Sequence, residues 1–397
     1  MESRYLPMSA HNIHLEFESL REYVQNGQQG LNEGIDQLLR LIEAFIPEKD
    51  ALKEACERIT AALSSQNAAL SAMDKKIESI CSAMFGKEYP VDVQFEREYY
   101  RDFPVGVTPE FPDFQKQLLA LLQGLDAKSV ETVILGIQRL KIIKETQEPI
   151  LALYSQEEKD TMRYILEHFV SCVLPLSESC FYCQGYLLPI NHFEACVFWD
   201  KCGISYLDYP DRLSSGDIID AGAFIGDSAL VLSPLTQGNI HAFEPTPKNY
   251  QYLLQTIQLN QLTNVVPIQA ALGAQSGTVT ISVSDSCSTQ FENKAIPYQD
   301  TTSAKVITLD EYVRQHGLTI SLIKADVEGA EQLLLQGALE TIKAQKPTLI
   351  ISIYHNANDF FHIKPMLEQL DLGYQFKIRH PVGGSILTET ILIAEVP

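Results

Sequence analysis

The stretch that most constrains this chain lies near its middle: Ile218-Ile219-Asp220-Ala221-Gly222-Ala223-Phe224-Ile225-Gly226-Asp227-Ser228. A short apolar run ends in a glycine-punctuated turn and passes directly into a helical pattern. Gly222 permits a tight turn and lets a ligand approach bare backbone. Gly226 lets the next helix start close to the sheet. Asp227 and Ser228 are residues that cap helix N-termini, and such an end offers amide N–H groups and a partial positive charge to an anion. A strand, a glycine turn and a helix in this order predict an α/β sheet with a ligand at its edge.

The alternation continues to the C-terminus. Strands are expected at Ile218–Asp220, Ile240–Phe243, Val265–Gln269, Leu322–Ala325 and Leu349–Tyr354. Helices are expected near Asp227–Leu235, Pro247–Leu259, Ala330–Lys343 and Asp359–Leu370. Tyr374–Arg379 and Ile386–Ala394, joined at Gly383–Gly384, read as an antiparallel hairpin on an otherwise parallel sheet. Thr278–Val283 reads as an added strand before the fourth one. Val197–Trp199 and Ile204–Leu207 read as short strands ahead of the sheet.

The first 170 or so residues read differently. From Leu31 to Met84 apolar residues recur in steps of three and four (Leu31, Ile35, Leu38, Ile42, Phe45, then Leu52, Cys56, Ile59, Leu63). That spacing keeps one seam facing a partner helix and predicts a coiled coil or helical hairpin, broken near Ile46–Lys49 by Pro47. It serves either a homo-oligomer or an intramolecular helix pair. Tyr89–Pro112 reads as an irregular linker, followed by helices at Phe114–Leu122, Val130–Ile143 and Glu157–Val173. The expected domains are residues 1–88, 89–175 and 176–397. No chemistry is legible in the first two.

Charge narrows the partners. A net charge of −21 with no basic run argues against nucleic acid and against an anionic membrane surface. No apolar window reaches the roughly eighteen residues a membrane span needs, and no export signal precedes His14, so a cytoplasmic protein with reduced thiols is expected. Cys180, Cys183, Cys196 and Cys202 include a C-x2-C pair, but their last spacing is not that of a common zinc ribbon. Aromatic and aliphatic neighbours favour buried thiols, and no metal is expected.

Two further clusters follow the glycine turn. His241-Ala242-Phe243-Glu244-Pro245 puts a carboxylate at the end of the second strand, where it can accept hydrogen bonds from both hydroxyls of a ribose. Ile323-Lys324-Ala325-Asp326-Val327-Glu328-Gly329-Ala330-Glu331 puts three carboxylates and a lysine at the end of the fourth. On an extended segment Asp326 and Glu328, two apart, would point to one side.

The three motifs IIDAGAFIGDSAL, HAFEPTPKNY and IKADVEGAE resemble, in this order and spacing, the FkbM family of methyltransferases. SIYHNANDF and YQFKIRHP are similar to that family's C-terminal part. The resemblance covers roughly Leu187 to Pro397. It implies a doubly wound, mostly parallel seven-stranded Rossmann-like sheet with a terminal antiparallel hairpin. It also implies S-adenosylmethionine as methyl donor and O-methylation of a hydroxyl, with a sugar in a glycan or secondary metabolite as acceptor. The cofactor-binding residues expected on it are Asp220, Gly222, Ala223, Phe224, Gly226, Asp227, Ser228, Glu244, Gln269 and Ala270. Asp326 and His355 are candidates for the base, because both follow strand ends bordering one cleft, and Glu328 for orienting the acceptor. Two alternatives stay open: a nicotinamide-dependent oxidoreductase, and a coiled-coil scaffold carrying an inactive methyltransferase-like domain. The turn reads G-x-x-x-G and not G-x-G-x-x-G, which weighs against the former.

Overall fold

A computed structural model describes residues 93–397, apart from 109–110, 147–152, 284–287, 290, 292–295, 297, 299 and 382–384. The coiled-coil expectation over Leu31–Met84 and the Gly383–Gly384 turn lie outside the described residues. Contacts divide the chain into two units: one takes residues up to Arg97 with Ile134–Lys159, the other takes Glu98–Val133 with Asp160–Pro397. No helix among the described residues is long and apolar enough to cross a membrane.

The helices come first: α1 (Val93–Tyr99), α2 (Phe114–Leu122), α3 (Ala127–Glu145) and α4 (Gln156–His168). Within the smaller unit, buried Arg139 pairs with Glu158 at 2.7 Å and lies 4.6 Å from the Tyr154 ring centroid. A three-stranded antiparallel meander follows, β1 (Leu174–Ser177), β2 (Cys180–Cys183) and β3 (Tyr186–Leu188). Its strands are too short to show a period in the sequence.

Val197–Trp199 and Ile204–Leu207 are not strands. The first falls in helix α5 (Ala195–Phe198) and the second in a 3-10 segment, Lys201–Tyr206. A short apolar run does not distinguish a strand from a buried helical turn. Cys202 and Gly203, with φ of 54° and 82°, kink the chain just before Ile204.

The large unit is built on β4 (Asp217–Ala221), α6 (Asp227–Leu232), β5 (Ile240–Phe243), α7 (Pro247–Leu259) and β6 (Val265–Ile268). An insertion supplies β7 (Ala271–Leu272), β8 (Gly277–Val283), β9 (Ser288–Thr289) and β10 (Asp300–Ile307). The chain returns through α8 (Leu309–His316), β11 (Ile320–Ala325), α9 (Glu331–Gln336), α10 (Leu339–Gln345), β12 (Thr348–Ser352), α11 (Ala357–Glu368), β13 (Gln375–Arg379) and β14 (Ile391–Glu395). The seven-stranded sheet runs β13-β14-β12-β11-β4-β5-β6. β14 runs antiparallel to both β12 and β13, and the remaining pairs are parallel. β12 and β14 are buried along their whole length, as a sheet covered on both faces requires.

Each edge is handled by its own sequence. Pro267, which has no N–H for a ladder, sits in edge strand β6. At the other edge the Ser129 hydroxyl accepts from the Ile378 amide at 2.8 Å, and Arg379 pairs with Asp126 at 2.6 Å, so the start of α3 covers β13.

Two expectations need correction. The strand at Thr278–Val283 exists, but it pairs with β10 in a separate four-stranded sheet and does not join the main one. β10 carries the polar run Asp300-Thr301-Thr302-Ser303, which hid it. The helix expected over Ala330–Lys343 is two helices divided at Gly337, where an added Cβ would lie 2.1 Å from the Gly273 carbonyl oxygen. That close crossing excludes a continuous helix with side chains there.

Candidate active site

The turn after β4 is shaped by two left-handed glycines. Gly222 has φ of 78°, and a Cβ on it would meet the Asp326 carbonyl oxygen at 1.7 Å. The turns after β4 and β11 therefore touch through backbone alone, which only glycine allows. The amides of Gly222 and Ala223 both donate to the Phe243 carbonyl, at 3.1 and 2.9 Å, which ties the turn to β5. Phe224 is itself left-handed, with φ of 45°.

Gly226, at φ 86°, is the N-cap of α6, and not Asp227 or Ser228 as their chemistry suggested. The left-handed turn takes the cap position, so those two side chains are released for other partners. The Ser228 hydroxyl donates to Asp220 at 2.6 Å, and Asp227 accepts from the Ser228 amide at 2.9 Å. Asp220 is fully buried, and its second oxygen lies 3.3 Å from Lys324 Nζ, outside hydrogen-bond geometry. Lys324 also donates to the Gly222 carbonyl at 3.2 Å. Burial alone would lower the Lys324 pKa, but the charges of Asp220 and Asp326 outweigh it and raise it, so the lysine is a fixed cation behind the turn.

Glu244 ends β5 almost wholly buried. One of its oxygens accepts from the amide of Thr246 at 2.8 Å and from its hydroxyl at 2.5 Å. Burial raises its pKa to about 7 against the pull of those donors. Beyond β6, Gln269 is exposed and Ala270 is buried. These residues and the 222–228 turn sit at the C-terminal ends of three adjacent parallel strands, where open α/β sheets bind ligands.

The fourth strand end holds the acids. Asp326 to Glu331 is not extended: Glu328 and Gly329 are left-handed, at φ of 55° and 93°. The turn nevertheless brings the acids together around one histidine. His355, directly after β12 and 4% exposed at its side chain, has Nδ1 3.0 Å from Glu331. Its Nε2 lies 3.3 Å from Asp326 and 3.5 Å from Glu328. Burial would lower the imidazole pKa, yet the charges of Glu331 and Glu328 and the contact with Asp326 drive it well above the ordinary value. The surrounding acids thus favour the charged form of the His355 ring. Asp326, although buried, is pulled to about 2 by His355 and Lys324. Glu328 differs: burial raises it to about 7, opposed by His355 and reinforced by Asp326, Glu331 and Glu194.

Asp326, Glu331 and His355 have donor atoms within 4.8 Å of one another, as do His192, Glu194 and Asp227. In the first group both imidazole nitrogens already face carboxylates, so the ring is their counter-ion. The cysteines of the C-x2-C stretch form no such group among the described residues.

Several site residues lie outside the motifs and carried no signal. His192 pairs with Glu194 at 3.3 Å and packs edge-on to Phe224 at 5.0 Å between ring centroids. Glu389, left-handed at φ 72°, accepts from the Tyr354 hydroxyl at 3.1 Å and is raised by burial to about 8. A cavity of about 290 Å³ opens over Glu328 and His355 and is walled by Glu98–Phe103, Phe291 and Tyr298.

Residues 220–376 match the family model described as the methyltransferase FkbM domain. Over this span the chain is similar to the FkbM methyltransferase domain. Among curated relatives, "Methyltransferase 1" of Beauveria bassiana is 23% identical over 216 residues, which is 49% of this chain and 84% of that one. Among solved structures, methyltransferase FkbM from Methylobacillus flagellatus is 19% identical, with a TM-score of 0.47. The alignment spans 72% of this chain and 60% of that protein's length. A putative methyltransferase from Streptococcus mutans, in complex with SAH, is 12% identical over 49% of this chain and 95% of its own, with a TM-score of 0.30. The FkbM match begins at Asp220, ends within β13 and takes in the glycine turn, Glu244, the acids of β11 and His355.

Proposed function

We propose that the FkbM domain transfers a methyl group from S-adenosylmethionine to a hydroxyl of a sugar, in a glycan or a secondary metabolite. The observation that carries the proposal is that two carboxylates, Glu244 after β5 and Glu328 after β11, flank the glycine turn of β4 along one sheet edge. Glu244 stands on the side of the glycine turn, and Glu328, held near neutrality, opens into the cavity across β11.

The residues present fit the donor. Asp220 offers beside the turn a buried carboxylate oxygen that makes no hydrogen bond, its charge balanced by Lys324 at 3.3 Å, so it is left to accept from a polar N–H of the donor. The turn 222–228 would hold the methionyl part, Glu244 the ribose hydroxyls, and Gln269 and Ala270 the base. Bound there, the donor supplies an activated methyl group.

The chain's own work is positioning and proton removal. In-line transfer needs the acceptor oxygen held against the methyl carbon, and a rigid cavity lowers the entropic cost of that alignment. The new O–C bond forms as the S–C bond breaks, and the hydroxyl proton must leave. Glu328 takes it: its carboxyl is the one in the cavity whose pKa lies near the working pH, where a general base is most effective. His355 fixes Glu328, Asp326 and Glu331 in place as their shared cation. The sheet order, with antiparallel β14 between β12 and β13, is foreign to the nicotinamide-binding fold and weighs against that alternative.

The test is incubation with labelled S-adenosylmethionine and a panel of sugars, read by mass shift. Product carrying one added methyl, lost in Glu328→Gln with donor affinity intact, is expected. Full turnover by Glu328→Gln would remove the base assignment.

A further inference from the structure

The cavity over Glu328 and His355 is walled on one side by Glu98–Phe103, which lies far outside residues 220–376 of the FkbM domain. This wall is fastened in place. The Tyr100 hydroxyl is 2.9 Å from Thr388 Oγ1, and the Phe103 ring packs 5.1 Å from Phe360 and 5.6 Å from Phe361. We infer, on the methyl-transfer reading above, that Glu98–Phe103 is the specificity wall of the acceptor site, and that the acceptor is an uncharged or amine-bearing hydroxylated ring rather than a phosphate-linked one.

Three observations support this. The cavity, about 290 Å³, is at the small end of ligand pockets, and so takes a ring or two but not a nucleotide with its sugar. Its walls carry Tyr99, Tyr100 and Phe103 from one side and Phe291 and Tyr298 from the other, and Phe291 is 51% exposed at its mouth. Tyr100 and Phe103, 2% and 4% exposed, back the wall, while the accessible rings of Tyr99, Tyr298 and Phe291 can cover the apolar faces of a bound ring and leave its hydroxyls to polar partners. The charges in the wall exclude an anion. Glu98, Asp102 and Glu328 contribute three carboxylates. Arg101 lies 3.4 Å from Glu98 and 3.5 Å from Asp102, and His355 faces three carboxylates of its own. Phosphate recognition needs arginine or lysine forks, or helix ends, aimed at the ligand, and the cations lining this cavity already face acids. A protonated amine finds acceptors there.

The experiment uses the full chain with labelled S-adenosylmethionine and three probe classes: uncharged methyl glycosides, amino sugars, and nucleotide sugars such as UDP-glucose. Methylation of uncharged or amine-bearing rings is expected. Tyr99→Ala and the surface variant Phe291→Ala should each raise KM for that acceptor by about three- to tenfold, with S-adenosylhomocysteine affinity unchanged. Glu98→Lys with Asp102→Lys should weaken amino-sugar methylation and leave the KM for the uncharged methyl glycoside within about twofold. Product from nucleotide sugars alone, unchanged KM in both aromatic variants, or no product from any class while S-adenosylhomocysteine binds would each overturn the inference. Loss of S-adenosylhomocysteine binding in the unmodified chain would instead defeat the methyl-transfer reading beneath it.

Discussion

The His355 Nδ1 lies 3.0 Å from a carboxylate oxygen of Glu331, and neither side chain is more than 4% exposed. Glu331 also accepts the Val327 amide at 2.9 Å, so the pair joins the start of α9 to the end of β12 and to the turn that carries Asp326 and Glu328. A buried cation shared by three acids is a structural requirement before it is a chemical one. His355→Ala should cost about 3–5 kcal/mol of unfolding free energy, because removing one partner leaves buried charges uncompensated. Glu331→Gln added to it should recover part of the loss. Denaturant titration checks both, and an unchanged midpoint in His355→Ala would mean that the ring does not hold the acids.

Glu328→Gln keeps the shape of the side chain and removes its basicity. A general base contributes about 10²- to 10⁴-fold, so kcat should fall by that range while donor affinity stays the same. In the unmodified enzyme kcat/KM should rise with pH and level off above about 7, as the buried Glu328 loses its proton. A profile flat from pH 5 to 9 contradicts this role.

Gly222→Ala should destabilise the domain strongly, since φ of 78° disfavours any side chain and the new Cβ would overlap the Asp326 carbonyl. Gly277→Ala is the control, because a Cβ there meets nothing within 4 Å. Melting temperatures of the two variants should separate clearly.

Stability should fall as pH rises from about 5 to 9. Glu244 and Glu328 are raised to about 7, Asp359 to about 7 and Glu389 to about 8, all mainly by burial. Each binds its proton more tightly folded than unfolded, so its favourable contribution is present below the unfolded carboxyl pKa and is lost on titration through the folded value. His192, raised to about 9 as Glu194 and Asp227 outweigh burial, acts in the same direction between its ordinary value and 9. Asp326 and Asp126, lowered to about 2, oppose this trend only in acid, below the ordinary aspartate range. A melting temperature that climbs from pH 5 to 9 would contradict this set of burials.

What the sequence disclosed follows from what a short segment can express. The inner strands of the main sheet read directly because a doubly covered strand must be a short apolar run, as at Leu349–Ile351, and the glycine turn reads directly because its backbone demands are local; the last strand begins at Ile391 and not at Ile386. Other features are not legible in the sequence. β10 was hidden by its threonines and serine, which sit in a small sheet with little to bury. The N-cap went to Gly226 because a left-handed turn, and not side-chain chemistry, set the entry to α6. The setting of His355 is not legible either, because its neighbours in the chain, Tyr354 and Asn356, do not reveal that three acids from another strand end converge on it. Charge state is a property of that convergence, and no spacing within one motif encodes it.

Binding of the methyl donor is the measurement closest to the centre of the account. Titration calorimetry with S-adenosylhomocysteine should give one site per chain, and Glu244→Gln should weaken it about ten- to a hundredfold through loss of a charged acceptor for the ribose. No heat of binding with the folded, unmodified chain, or equal affinity in Glu244→Gln, would contradict the account.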